Sequence, residues 1–369
     1  MAPGTNVAEY AALRKSLSSI RALIASFRNS LDSAPTAQPR ISDDLDPLSI
    51  LADASKLLKA QITKLSLLMI NKPFAPKEVR FILEALSTSI LPALMSTLEL
   101  CHPVTYSRAF YDHLRATLRL LWRELDSLLE RVSENETRAQ EIEEKAVLSS
   151  TGLIWERCDS MIETGQGGLG KFADSRISEY ASLFEDAITE LEEWDPDGEE
   201  SDLSGSDEGD GTHAEAVICT PTTSDEESLG SGLARLSVSP MHELKVPVMK
   251  RLRMVKLLYP AIKKRRVRTF SCGETATTPL DQKALIQRMD EIIQHSQQFT
   301  IIADDLAAAL YEGTPAEVNR KSQDLSREAL HCITIARTNW DRNEDEFTPW
   351  FDKWKERFED QFESVKEMS

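Results

Sequence analysis

An all-α fold is predicted by three features of the sequence. Glycine is scarce, at 14 of 369 residues, and proline totals 16, so long stretches contain neither. Chains built from strands need turn residues about every 8–12 positions, and α/β enzymes that cradle phosphates carry several glycine loops. Apolar residues instead recur at steps of three and four, the spacing of one helical face. Proline and cap residues stand where such stripes begin.

The first stripe is Leu13, Leu17, Ile20, Ile24, Phe27 and Leu31. The second helix spans 47–70, with Asp46 and Pro47 at its start and Leu51, Leu58, Ile62, Leu65 and Met69 along one face. A third runs from Pro76 to about Leu100, with Pro92 inside it as a kink. The fourth, about 105–133, carries Leu114, Leu118, Leu121, Leu125, Leu128 and Val132. A fifth is expected over about 137–162. A sixth, over about 172–194, uses Ile177, Tyr180, Phe184, Ala187, Leu191 and Trp194. Between these two, the glycines from Gly165 to Gly170 read as a flexible loop, with Gly165 ending the fifth helix. Six helices with short connections are expected to form an antiparallel bundle over 1–194, because each stripe needs a partner to leave water.

Composition then breaks. From Asp195 to Gly232 there are twelve acidic residues and no Lys or Arg. Such a segment buries too little apolar surface to offset chain entropy, so 195–240 is expected to be a disordered acidic linker. A C-terminal helical domain is expected over 241–369. It opens with the inverse charge: ten Lys and Arg and no acid between Lys245 and Arg268. Thr278 and Pro279 start a helix to about Tyr311. Thr314, Pro315 and Glu317 form a capping box for the next. The last helix begins near Thr348 with Phe351, Trp354, Phe358 and Phe362 on one face, and Phe347 and Trp350 near its start. That stripe reads as core before partner surface, because exposed aromatic patches promote aggregation.

The net charge of −18 argues against nucleic-acid binding by the chain as a whole, since phosphate affinity comes from Lys and Arg. It divides into −12 over residues 195–232, +10 over residues 245–268 and −16 over the rest. The five cysteines, at 101, 158, 219, 272 and 332, form no CxxC and suit a reducing compartment. The N-terminal residues lack the apolar core of a signal peptide. Uninterrupted apolar runs such as Leu67–Ile70 are far below the ~18 residues of a membrane span. A soluble intracellular protein without a membrane span is expected.

Candidate chemistry is sparse. Gly165 to Lys171 matches the P-loop spacing G-x-x-x-x-G-K, but Phe172 stands where Ser or Thr would hold magnesium, and an amphipathic helix precedes it where a P-loop follows a strand. The pairs Cys101–His102 and His331–Cys332 are adjacent, so on a helix they point about 100° apart and do not share a metal. No catalytic, cofactor or metal residue is assigned, and no enzyme is expected. Lys263, Lys264, Arg265, Arg266 and Arg268 are a candidate nuclear-import signal or anionic-partner patch. Ser206 and Ser224 each precede acids and are candidates for an acid-directed kinase.

The segment Thr151-Gly-Leu-Ile-Trp155-Glu-Arg-Cys158-Asp159, followed by Asp186, Ala187 and Glu190 on the next helix and then Asp195-Pro196 before the acidic run, resembles the cyclin-D-binding (cyclin-D-interacting) protein family. The order of features extends the resemblance over most of the chain, although the 165–170 glycine string is no feature of that family. The resemblance implies antiparallel, vinculin- or talin-like helical bundles and a non-enzymatic negative regulator of cell-cycle progression. It further implies binding of D-type cyclins or helix-loop-helix transcription factors, in nucleus and cytoplasm. A vinculin-like cytoskeletal or adhesion scaffold is the alternative function.

Overall fold

The apolar stripes of the sequence are the buried faces of the helices. The structure, a computed structural model, describes residues 3–33, 46–103, 106–137, 144–194, 240–270 and 279–362, and among these the regular elements are all helical. The expected linker therefore lies outside the described residues up to Ser239. Helix α1 (Pro3–Asp32) buries Leu13, Leu17, Ile20, Ile24 and Leu31. Helix α2 (Pro47–Ile70) starts as its cap signal requires: the Asp46 carboxylate accepts from the N–H groups of Leu48 (3.1 Å) and Ser49 (3.2 Å). Its predicted stripe, Leu51 to Met69, is buried.

Pro92 acts through the turn before it. The Pro76–Leu100 segment is α3 (Pro76–Ala85), a π turn (Leu86–Ile90) and α4 (Leu91–Leu100). Proline has no N–H to donate and its ring crowds the carbonyl one turn back. The π turn absorbs this by opening the ladder one residue, so that Leu91 N–H reaches the Leu86 carbonyl. By length and composition Pro76–Leu100 could cross a membrane, with a mean hydropathy of 1.5, yet half of that window is buried within the protein. Its contacts are those of a core helix, with α1 and α2 on either side.

Helix α5 (Arg108–Thr137) is followed by α6 (Glu144–Glu193), in which two helices meet at a kink inside the glycine string; the structure corrects the extent of the expected loop, which shrinks to one residue. The backbone is helical through Gly165 and Gly167 and leaves the helical region at Gly168, with φ 71° and ψ −178°, so α6 consists of two helical arms that meet at a kink. Gly165 does not end a helix. It lets α6 approach the start of α2: a Cβ there would lie 2.5 Å from the Leu48 carbonyl oxygen. A glycine string loosens a helix only where nothing packs on it, and α2 packs along this arm.

The first arm runs antiparallel to α2, with the Ser66 and Thr151 hydroxyls 2.6 Å apart in the interface. The second arm packs on α7 (Pro240–Lys256), α8 (Leu258–Arg265) and α9 (Pro279–Glu312). A 3-10 turn (Val267–Thr269) follows α8. Helix α10 (Pro315–Ala336) returns along α9 from the predicted capping box: Glu317 N–H donates to Thr314 Oγ1 (3.3 Å), and Thr314 N–H donates to the Glu317 carboxylate (3.0 Å). Helix α11 (Thr348–Phe362) buries Phe351, Trp354 and Phe358 and ties itself to α7 through Trp354 Nε1–H and the Met254 carbonyl (3.1 Å). One continuous apolar core runs from Leu13 to Phe358, so the helices on either side of residues 195–239 pack together, with α6 common to both groups.

Candidate interaction surfaces

The basic segment 245–268 is where the charge pattern of the sequence meets the fold. Helices α7 and α8 run antiparallel to the second arm of α6, and that arm carries acids at matching heights. Arg253 pairs with Glu192 (2.7 Å), Lys256 with Glu185 (2.6 Å), and Lys263 and Arg268 with Asp174 (3.5 and 3.3 Å). Aromatic rings take up two further cations: Arg265 lies 4.2 Å over Trp350, and Arg251 lies 4.4 Å over Phe362. Burial lowers the Arg251 pKa to about 10.

Arg266 has a different role from its neighbours. Its side chain is 1% exposed. The guanidinium donates to the carbonyls of Ala336 (2.5 Å), Arg337 (2.9 Å) and Arg265 (2.7 Å) and forks onto Asp345 at 2.8 and 3.0 Å. It thus satisfies the orphan carbonyls at the end of α10, while Asp345 caps the start of α11 by accepting from Phe347 and Thr348 N–H (3.1 Å each). Burial alone would raise the Asp345 carboxyl; the Arg266 guanidinium overrides it and holds the group below the usual carboxylate range. Of the five candidate import residues, only Lys264 and Arg268 are exposed, and Lys263 and Arg265 are half-buried.

The glycine string lies at a cleft of about 730 Å³ between the start of α2, the bend of α6 and the 3-10 turn. Its two cations are already partnered, Lys171 by Glu163 across the bend (3.0 Å) and Arg268 by Asp174. The helical backbone at 165–167 and the preceding helix are not the strand-loop-helix that a P-loop needs.

A second cleft, of about 810 Å³, lies between α5, α6 and α9. His113 sits in it with its pKa lowered to about 4, by burial first and then by the positive charges of Arg176 and Arg157. Asp290 of α9 caps α5 across the cleft, accepting from the Ser107 hydroxyl (2.6 Å) and Arg108 N–H (2.7 Å). Its carboxyl is raised by burial, which these hydrogen bonds oppose.

The residues that carried the family resemblance face neighbouring helices or solvent rather than one site. Cys158 is fully buried, which pushes its thiol up to about 12. Trp155 is half-buried beneath Lys59, whose ammonium lies 5.8 Å from its ring and 2.6 Å from Asp159. Ala187 is buried, Asp186 is exposed, and Glu190 accepts from the Tyr311 hydroxyl (3.3 Å). Asp195, Pro196, Ser206 and Ser224 lie outside the described residues. Sequence reasoning missed Asp174, Glu185 and Glu192 as partners of the basic helices. Their spacing of eleven and seven puts them on one stripe of α6, a signal that was present.

Residues 50–197, from α2 to just past α6, match the family described as Grap2 and cyclin-D-interacting, N-terminal. An uncharacterized protein of Schizosaccharomyces pombe is 24% identical over 370 residues, covering 96% of each chain. No solved structure matches the chain significantly.

Proposed function

We propose, from the match of residues 50–197 to the Grap2 and cyclin-D-interacting family, that this chain is a non-enzymatic protein-interaction module that regulates cell-cycle progression negatively. It holds a D-type cyclin or a helix-loop-helix transcription factor on a helical face and blocks that partner's other contacts. The family match carries this reading, and the side chains that could have carried chemistry support it. Lys171 is tied to Glu163, Arg266 is a buried cap, and burial pushes the Cys101 and Cys158 thiols up to about 12, far from a reactive thiolate.

The protein works in nucleus and cytoplasm, with Lys264 and Arg268 as the exposed part of its import signal. Phosphorylation at Ser206 and Ser224 adds charge to the acidic segment and tunes binding. The test is affinity purification of the full chain followed by binding of purified D-type cyclin and helix-loop-helix factor by calorimetry. Saturable binding of either supports the proposal. Recovery of chaperones alone, with no heat from either purified partner, overturns it. A Lys264→Ala/Arg268→Ala variant tests import without touching the buried cap.

A further inference from the structure

After the pairs with α6 are formed, one face of α7 is left over. His242, Val246, Lys250, Arg253 and Leu257 are all exposed. From Val246 onward they stand at i, i+4, i+7 and i+11: Val246, Lys250 and Arg253 share one stripe of α7, and Leu257 follows in the turn between α7 and α8. Val246 and Leu257 are 51% and 50% exposed, large values for branched apolar side chains. Lys250 has no carboxylate partner among the described residues, and Arg253 keeps a side-chain exposure of 60% despite its pair with Glu192. A groove of about 470 Å³ opens beside the stripe, with Val246 and Met249 as its apolar lining, cations around it and Glu192 as its one acid.

We propose that this outer face of α7 is a docking surface for an acidic amphipathic helix of a partner protein. The inference rests on the reading of the chain as an interaction module and names the face and the chemistry it selects. Alternation decides the partner's class. Apolar positions two to three turns apart match an opposing stripe of leucine-like side chains, and the intervening cations match glutamates or aspartates on its flanks. The twelve residues from Val246 to Leu257 span about 17 Å, so the occupant needs about three turns. A polyanion is a poorer fit: it would leave Val246 and Met249 uncovered and would set its charges against Glu192 as well as the cations.

The test uses the full chain and a fluorescein-labelled peptide of about 16 residues, with leucines at i, i+4, i+7 and i+11 and glutamates on the flanks, read by anisotropy. The expected result is saturable binding that weakens about tenfold in Lys250→Glu/Arg253→Glu and again in Val246→Asp/Leu257→Asp, with circular dichroism of both variants unchanged. A scrambled peptide of equal charge is expected to bind about tenfold more weakly. Equal affinity for the scramble, or unchanged affinity in the two double variants, overturns the proposal. Binding that appears only after residues 195–232 are deleted also overturns it and assigns the groove to the chain's own acidic segment. The two readings fail separately. Cyclin binding that survives both stripe variants removes this face and leaves the proposed function. Peptide binding by a chain that binds neither cyclin nor helix-loop-helix factor does the reverse.

Discussion

Replacing Arg266 by Met keeps much of its volume and removes the guanidinium. The Ala336, Arg337 and Arg265 carbonyls each lose a donor, the last two keeping the Thr348 and Thr269 hydroxyls, and Asp345 keeps its charge at 21% exposure without its ion-pair partner. Removing one partner of a buried ion pair costs about 3–5 kcal/mol, because the other charge stays desolvated. Asp345 retains its bonds to Phe347 and Thr348 N–H, which places the expected loss near the lower limit, at about 3 kcal/mol. Lys264, two residues earlier and exposed, serves as the control: Lys264→Ala is expected to change stability by less than about 0.5 kcal/mol. Urea unfolding followed by far-ultraviolet circular dichroism measures both. In a double-mutant cycle with Asp345→Asn, the coupling is expected to be about 2 kcal/mol. Loss of less than about 1 kcal/mol in Arg266→Met, or no coupling to Asp345, would refute the assignment of Arg266 as a cap joining α8, α10 and α11. Import experiments that replace the whole basic run therefore confound import with folding.

Four further outcomes are expected. Gly168→Ala has open space around its new Cβ but must adopt φ 71° with ψ −178°, a region almost confined to glycine, so a thermal melt should show a loss of about 1–3 kcal/mol. Gly165→Ala acts by contact instead, since its Cβ would meet the Leu48 carbonyl at 2.5 Å; stability should also fall, and only this variant should disturb probes placed on α2. His113 has a folded pKa of about 4 against an ordinary value of 6.5, so the unfolded chain binds the extra proton between those values. Stability should be intact above pH 6.5 and decline as pH falls towards 4, by about 3 kcal/mol, and His113→Gln should flatten that part of the profile. Thr314→Ala removes one half of the capping box and should cost about 1 kcal/mol by urea titration; no change would mean that α10 starts without its cap.

Much of the fold was legible because helix signals are local. The stripes in α1, α2 and α5, Asp46 with Pro47, and Thr314 with Glu317 each lie within a few turns of chain, and the structure buries or caps them as their spacing requires. The aromatic stripe of α11 was legible as core for the same reason. The break in the 165–170 string was expected too wide because glycine content reports what a segment can do alone, whereas α2 packs against Gly165 and the backbone stays helical up to the kink at Gly168. Within the basic run the failure was of another kind. Lys263, Lys264, Arg265 and Arg266 are adjacent and chemically alike, so no local feature separates the exposed cation from the buried cap.

By itself, then, the sequence determined the helices, their apolar faces, their caps and the segregation of charge into an acidic and a basic segment. Tertiary structure alone decided what that charge does. Placing α7 and α8 antiparallel to the second arm of α6 brings Arg253, Lys256 and Lys263 to Glu192, Glu185 and Asp174, across 61 to 89 residues of chain. Coulomb attraction falls steeply beyond a few ångströms in water, so which charges neutralise each other depends on how the helices are set side by side. Left exposed beside those pairs is the outer stripe of α7, where Lys250 has no carboxylate partner among the described residues.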